Sequence, residues 1–156
     1  MTVNKFQRIS GSCAALAVVI AFAASLGTPS ASAEAAEITV YKSPSCGCCK
    51  KWVSHMEKNG HSVKTLNFED MDPIKKMAAI PEKFQSCHTA IVDGYVVEGH
   101  VPAKDVERLL KERPKARGIA VPGMPAGSPG MEQGEAERYE VLLFNTDGSS
   151  TIYSKH

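Results

Sequence analysis

Of the residues in this chain that can do covalent or metal chemistry at neutral pH, the cysteines are placed most pointedly. Ser45-Cys46-Gly47-Cys48-Cys49-Lys50 puts three thiols within four residues, and a fourth, Cys87, stands before a later β-like run. Cys46 and Cys49 have C-x-x-C spacing, which at a helix start brings two sulfurs within reach of a disulfide or a shared metal. Alone, that pair suggests thiol–disulfide exchange. Cys48 complicates it, because a third thiol inside a redox loop offers alternative disulfides, while the vicinal pair Cys48-Cys49 makes only a strained ring. Thiolates crowded together repel, and protonation, oxidation or a cation must relieve them. Soft sulfur donors select Cu(I), zinc or iron–sulfur clusters. Two C-x-x-C pairs would favour a single tetrahedral zinc, and C-x-C-C with a lone cysteine does not match that pattern. Cu(I), with bridging thiolates and more than one ion, is the expectation from ligand softness.

The elements around these residues are legible from periodicity. Glu37 to Tyr41 alternates and is β-branched, which predicts a strand. Ser43-Pro44-Ser45 predicts a turn, with Ser45 as helix N-cap. Beyond it Cys49, Trp52, Val53 and Met56 fall at i, i+3, i+4 and i+7, a single buried stripe. Lys50, Lys51, His55 and Lys58 lie outside it, and Gly60 ends the helix. Val63 to Phe68 predicts a second strand. Asp72-Pro73 opens a short helix ending near Pro81. Thr89–Val92 and Tyr95–Glu98 flank Asp93-Gly94, a hairpin signal. Pro102 opens a third helix with Val106, Leu109 and Leu110 inward, stopping before Pro114.

This order, βαβ, then α, then ββα, is that of the thioredoxin fold, an α/β class that carries its chemistry at the turn between first strand and first helix. Enzymes of that fold set a cis-proline opposite the turn, and in glutaredoxins it lies six residues before the hairpin glycine. Six residues before Gly94 stands His88, with Cys87 preceding it. Cys87 is therefore expected to face the three clustered thiols.

From Gly118 to Gly130 seven of thirteen residues are Gly or Pro and none is charged. This predicts a loop packed onto the domain, with neither helix nor central strand. Tyr139–Phe144 and Thr151–Tyr153, around Asp147-Gly148, predict an extra C-terminal β-hairpin.

At the other end, residues 1–33 have the pattern of an export signal: Lys5 and Arg8, an apolar run from Cys13 to Leu26, and Ala31-Ser32-Ala33 before Glu34. Cys13 is expected to be discarded with it. Residues 34–156 then form one domain. Loss of Lys5 and Arg8 takes Lys+Arg from 18 to 16 against 17 Asp+Glu, a near-neutral protein that does not suggest a nucleic-acid or membrane-surface partner. Outside the cytoplasm bare thiols oxidise, so the four cysteines must be disulfides, a redox pair or metal ligands.

The runs CGCCKKW, SCHTAIVDGYVVEGHVPAKDVERLL and AVPGMPAGSPGME resemble the family named domain of unknown function 411, whose members include CopG-like proteins of bacterial copper resistance. The resemblance implies a thioredoxin-like fold, a periplasmic location, and a copper site at Cys46, Cys48, Cys49 and Cys87. It further implies a role in interconverting Cu(I) and Cu(II), with other periplasmic copper-handling proteins as partners. Whether the chain turns over as a copper oxidoreductase stays open. Two other functions also remain: an exported thiol–disulfide oxidoreductase using Cys46 and Cys49, and a non-catalytic module stapled by zinc or disulfides.

His88, His100, Met124 and Met131 are candidates for further ligands or for support around the site. His88 adjoins Cys87. His100 sits at a strand–helix joint, where a capping role at the far end of the domain is expected. Met124 and Met131 are expected to plug the Gly/Pro loop onto the core. His55 and His61 read as exposed, and His156 as mobile.

Overall fold

The computed structural model describes residues 37–156; the expected export signal and the lead at 34–36 lie outside the described residues. Seven strands form one sheet in the order β2-β1-β3-β4-β5-β6-β7. In chain order they are β1 (Glu37–Lys42), β2 (Ser62–Asn67), β3 (His88–Val92), β4 (Tyr95–Glu98), β5 (Gly118–Ala120), β6 (Glu140–Phe144) and β7 (Ser150–Lys155). The helices are α1 (Gly47–Lys58), α2 (Asp72–Met77) and α3 (Ala103–Glu112), with one 3-10 turn at Glu82–Phe84. The fold is mixed α/β. Among the described residues no helix is long and apolar enough to cross a membrane.

The β1-α1-β2 unit makes a parallel pair, as a helical crossover requires, and β3 pairs antiparallel with both β1 and β4. Period-two alternation sends side chains to two cores. On one face Ile38, Val40, Ala90, Val92, Val97, Ile119 and Val141 pack with Trp52 and Met56 of α1 and Val106 and Leu109 of α3. On the other, Val96, Ala120 and Phe144 pack with Ala78, Ile80 and Phe84 from the α2 side. Trp52 is fully buried and donates its indole N–H to the Val101 carbonyl at 2.8 Å. That bond pins α1 to the segment between β4 and α3, and satisfies the ring's one polar atom.

Three expectations are corrected here. The N-cap of α1 is Cys46 rather than Ser45: its sulfur accepts from the Cys49 amide at 3.3 Å, so the helix starts inside the cysteine run. Gly118–Ala120, read as part of a loop, is an interior strand, parallel to β4 and antiparallel to β6. Gly118 is what lets it in, since a Cβ there would fall on the Val96 carbonyl. Glycine, a breaker in most strands, marks a close backbone approach in this one. The predicted C-terminal hairpin forms, and β5 is the strip by which it extends the main sheet. His156 is also not mobile. It exchanges two backbone hydrogen bonds with Tyr139, stacks on that ring, and sets Nε2 2.8 Å from the Asp105 carboxylate on α3.

Candidate metal centre

β1 ends at Lys42, whose buried ammonium donates to the Ser43 carbonyl at 3.1 Å and to Asn67 Oδ1 at 3.0 Å. This braces the turn that delivers Cys46. No acidic residue occupies the first turn of α1, so no side chain of that turn competes with the sulfurs for the positive helix end. Cys46 and Cys48 are half-buried at this rim, and Cys49 is buried on the core stripe. Cys87 arrives from the residue before β3. Its sulfur lies 3.6 Å from Cys49 Sγ and 4.0 Å from Cys48 Sγ, and Cys48 lies 3.4 Å from Cys46. All four sulfurs thus converge, as placing Cys87 opposite the turn predicts. Cys46 and Cys49 are joined in a disulfide, while Cys48 and Cys87 are free thiols.

Two histidines complete the cluster on the α1 side. His88, fully buried, stacks on Trp52 with ring centres 4.6 Å apart and sets Nδ1 3.4 Å from Cys87 Sγ. Its Nε2 is buried with no hydrogen-bond partner. His100 sets Nε2 3.0 Å from Cys87 Sγ and Nδ1 2.8 Å from the Pro129 carbonyl. Cys87, His88 and His100 therefore form a second donor group sharing one sulfur with the first. Placing His100 at the far end of the domain was an error. The fully buried Gly99-His100 joint folds back along β3, with the Gly99 amide on the His88 carbonyl at 3.0 Å, and returns the imidazole to the cysteines.

The electrostatics suit a soft cation. Burial, with the neighbouring Cys48 adding to it, pushes the Cys87 thiol up to about 12. Burial holds His88 well below the ordinary imidazole range and lowers His100, so both rings are neutral donors at physiological pH. Around a tetrahedral ion with metal–sulfur bonds of about 2.3 Å, sulfurs stand roughly 3.8 Å apart. Three of the non-bonded separations, at 3.4, 3.6 and 4.0 Å, bracket that value. The residues fit a thiophilic metal, provided the Cys46–Cys49 bond is reduced.

The Gly/Pro segment is packed down, as expected. Gly130 adopts φ +91°, and a Cβ there would come within 2.7 Å of the Cys48 carbonyl and 3.0 Å of the Trp52 amide nitrogen. The Glu132 carboxylate accepts from the Gly130 amide at 2.6 Å, which holds its pKa below the usual range. Met131 follows Gly130 and is half-buried, whereas Met124 is 52% exposed and does not plug the loop. His55 and His61 are also not exposed. His55 Nε2 accepts from the Ala103 amide at 3.1 Å and caps α3, and His61 is buried 3.7 Å from the Glu107 carboxylate.

Sequence reasoning missed a buried ion pair behind Cys87, Lys75 of α2 with Glu98 of β4, at 2.5 Å. A lysine in a short helix and a glutamate ending a strand carry no pattern that separates them from solvated charges.

Residues 84–131 match the family described as "Protein of unknown function, DUF411". Two solved structures described as copper resistance protein copG, form 1 and form 2, each share 42% identity with this chain over 79% of its length. The matches cover 98% and 99% of those chains, with TM-scores of 0.74 and 0.75. No curated protein matches the chain.

Proposed function

The chain belongs to the DUF411, copG-like copper-resistance family, and from that premise we propose that it is a periplasmic copper protein. In this reading it holds Cu(I) on Cys46, Cys48, Cys49 and Cys87 and interconverts Cu(I) and Cu(II). The observation that carries it is the convergence of the four sulfurs, with the two imidazoles beside Cys87. A thioredoxin-like frame, in which the βαβ unit supplies the turn and β3 the opposing residue, accounts for that convergence. Copper is the cargo. The narrow sulfur spacing suits thiolates that bridge more than one ion, and Nε2 of His100, beside Cys87 Sγ, is a nitrogen donor at the edge of the cluster.

The disulfide supplies a balanced route for the redox step. Two Cu(I) ions each give one electron, the Cys46–Cys49 bond breaks to two thiolates, and two Cu(II) ions leave. In reverse, the two thiolates close the disulfide and reduce two Cu(II). Export rests on the pattern of residues 1–33, and a mature protein whose mass starts at Glu34 would support it. Other copper-handling proteins of the same compartment are the natural donors and acceptors of the ion.

The test is competition for Cu(I) against a chromophoric chelator, with protein kept reduced. Reduced native protein should bind tightly, the disulfide form weakly, and Cys87→Ser should lose stoichiometry. Native stoichiometry in Cys87→Ser would sink the four-sulfur site.

The disulfide also favours a second reading, an exported thiol–disulfide oxidoreductase in which, once the pair is reduced, half-buried Cys46 attacks a substrate disulfide and Cys49 resolves the mixed disulfide, closing the Cys46–Cys49 bond and releasing two substrate thiols. That reading requires disulfide reduction that is lost in Cys46→Ser and kept in Cys48→Ser. For a zinc-stapled module, metal analysis beside a free-thiol count would return one zinc and no copper.

A further inference from the structure

Burying a charge stabilises nothing by itself, so what a buried pair holds in place is read from its hydrogen bonds. Lys75 and Glu98 are such a pair, with side chains 7% and 0% exposed. Glu98 points to the α2 face of the sheet, opposite the face that carries His88. One carboxylate oxygen accepts from the Ser86 amide at 2.7 Å and from Lys75 Nζ at 2.5 Å. The other accepts from the Thr89 hydroxyl at 2.7 Å, and Lys75 Nζ lies 3.3 Å from that hydroxyl. Ser86 and Thr89 flank the dipeptide Cys87-His88. A single carboxylate therefore grips the chain on both sides of the distant cysteine, from the face the metal would not occupy. The Ser86 hydroxyl extends the hold to the Gly123 carbonyl in the Gly/Pro segment.

We propose that Glu98, with Lys75 as its counter-ion, is the positioning residue that presents Cys87 to the cysteine turn. This rests on the reading of Cys87 as the fourth sulfur of the site. Without the grip, the segment from Gln85 to Cys87, which precedes β3, is free to swing its sulfur off the other three. Charge gives the carboxylate strength as a two-sided acceptor, and Lys75 supplies compensation where water cannot.

Phenylarsine oxide tests this without copper. In the protein with Cys46–Cys49 oxidised, the remaining thiols are Cys48 and Cys87, 4.0 Å apart. The reagent forms two As–S bonds, its oxygen leaving with the two thiol protons as water, so its affinity reads how well the two sulfurs are held together. Lys75→Met/Glu98→Leu keeps the volume and removes the pair and the acceptor. It should weaken arsenical binding about tenfold, the worth of one hydrogen bond of this kind. Lys75→Met/Glu98→Gln restores a neutral acceptor for the Ser86 amide and should stay within about threefold of native. Thr89→Val, nearly isosteric, should weaken binding about threefold and guards against misfolding of the leucine pair. A leucine pair that binds like native protein, glutamine and leucine pairs that bind alike, or an unaffected Thr89→Val overturns the proposal. A merely structural ion pair would lower the melting temperature and leave these affinities unmoved. Because copper is absent, failure here leaves the metal reading standing, whereas unchanged copper stoichiometry in Cys87→Ser sinks that reading alone.

Discussion

His100 and Cys87 face each other with Nε2 3.0 Å from Sγ, and the tautomer of the ring is decided by its other nitrogen. The Pro129 carbonyl, 2.8 Å from Nδ1, can only accept, so Nδ1 carries the hydrogen and Nε2 presents a lone pair to the sulfur. The Gly/Pro segment thus sets the chemistry of an imidazole that β4 delivers.

Replacing His100 by glutamine should keep most of the volume but lose the imidazole nitrogen donor, leaving only a weak, hard amide oxygen. Cu(I) affinity of the reduced protein is expected to fall about 10- to 100-fold, the usual loss when a group supporting a metal site is removed. Chelator competition reads it. An affinity equal to native would mean that His100 only fills space.

Gly130→Ala should disturb the same relationship from the loop side. The left-handed φ of +91° disfavours alanine, and the new methyl would press on the Cys48 carbonyl and the Trp52 amide. A loss of about 1–3 kcal/mol in unfolding free energy is expected, together with weaker copper binding than in Gly127→Ala, whose methyl would meet Ala136. Equal copper affinities in the two variants would show that the strap does not bear on the cysteines.

Gly118→Ala tests the interior strand. Its methyl would be driven into the Val96 carbonyl, so β4 and β5 must part. Destabilisation of about 3 kcal/mol is expected, at the upper end of the range of overpacked cores. Urea unfolding followed by Trp52 fluorescence measures it, and a midpoint equal to native would contradict the β4–β5 pairing.

Acidification should destabilise the metal-free protein. Burial lowers the pKa values of His55, His88 and His100 in the native state, while unfolded imidazoles titrate near about 6.5. Below that pH the unfolded chain binds more protons than the native one, so the stability these rings contribute is full above about 6.5 and falls as pH drops toward their native values. A fully buried ring such as His88 costs up to about 1.4 kcal/mol per pH unit in that window, and the partly exposed His55 less, because water screens it. Urea midpoints from about pH 8 to about pH 5 should fall, and a flat profile would mean the rings are accessible to protons in the fold.

Much of the frame was legible because its signals are local. The strand periods, the stripe Cys49-Trp52-Met56, the Asp93-Gly94 turn and the C-x-C-C cluster all report on neighbours in the chain. Even the approach of Cys87 followed from one distance along the sequence, the six positions from His88 to Gly94. Local pattern misled where a residue's role is set by what lies across the sheet. Gly118 reads as a breaker until the Val96 carbonyl is seen against it. His55 and His61 read as exposed until Ala103 and Glu107 are in place beside them, and His156 reads as mobile until Tyr139 and Asp105 are.

The sequence by itself determined that four thiols follow residue 33, that three share the start of one helix, and that an α/β frame carries them, because spacing and periodicity are properties of a chain. Only tertiary structure decided that His100 returns to Cys87, that Pro129 chooses its tautomer, and that Lys75 and Glu98 sit behind the site. Those relations join residues 13, 29 and 23 positions apart. Their energies come from burial and hydrogen bonding, which only the closed fold creates.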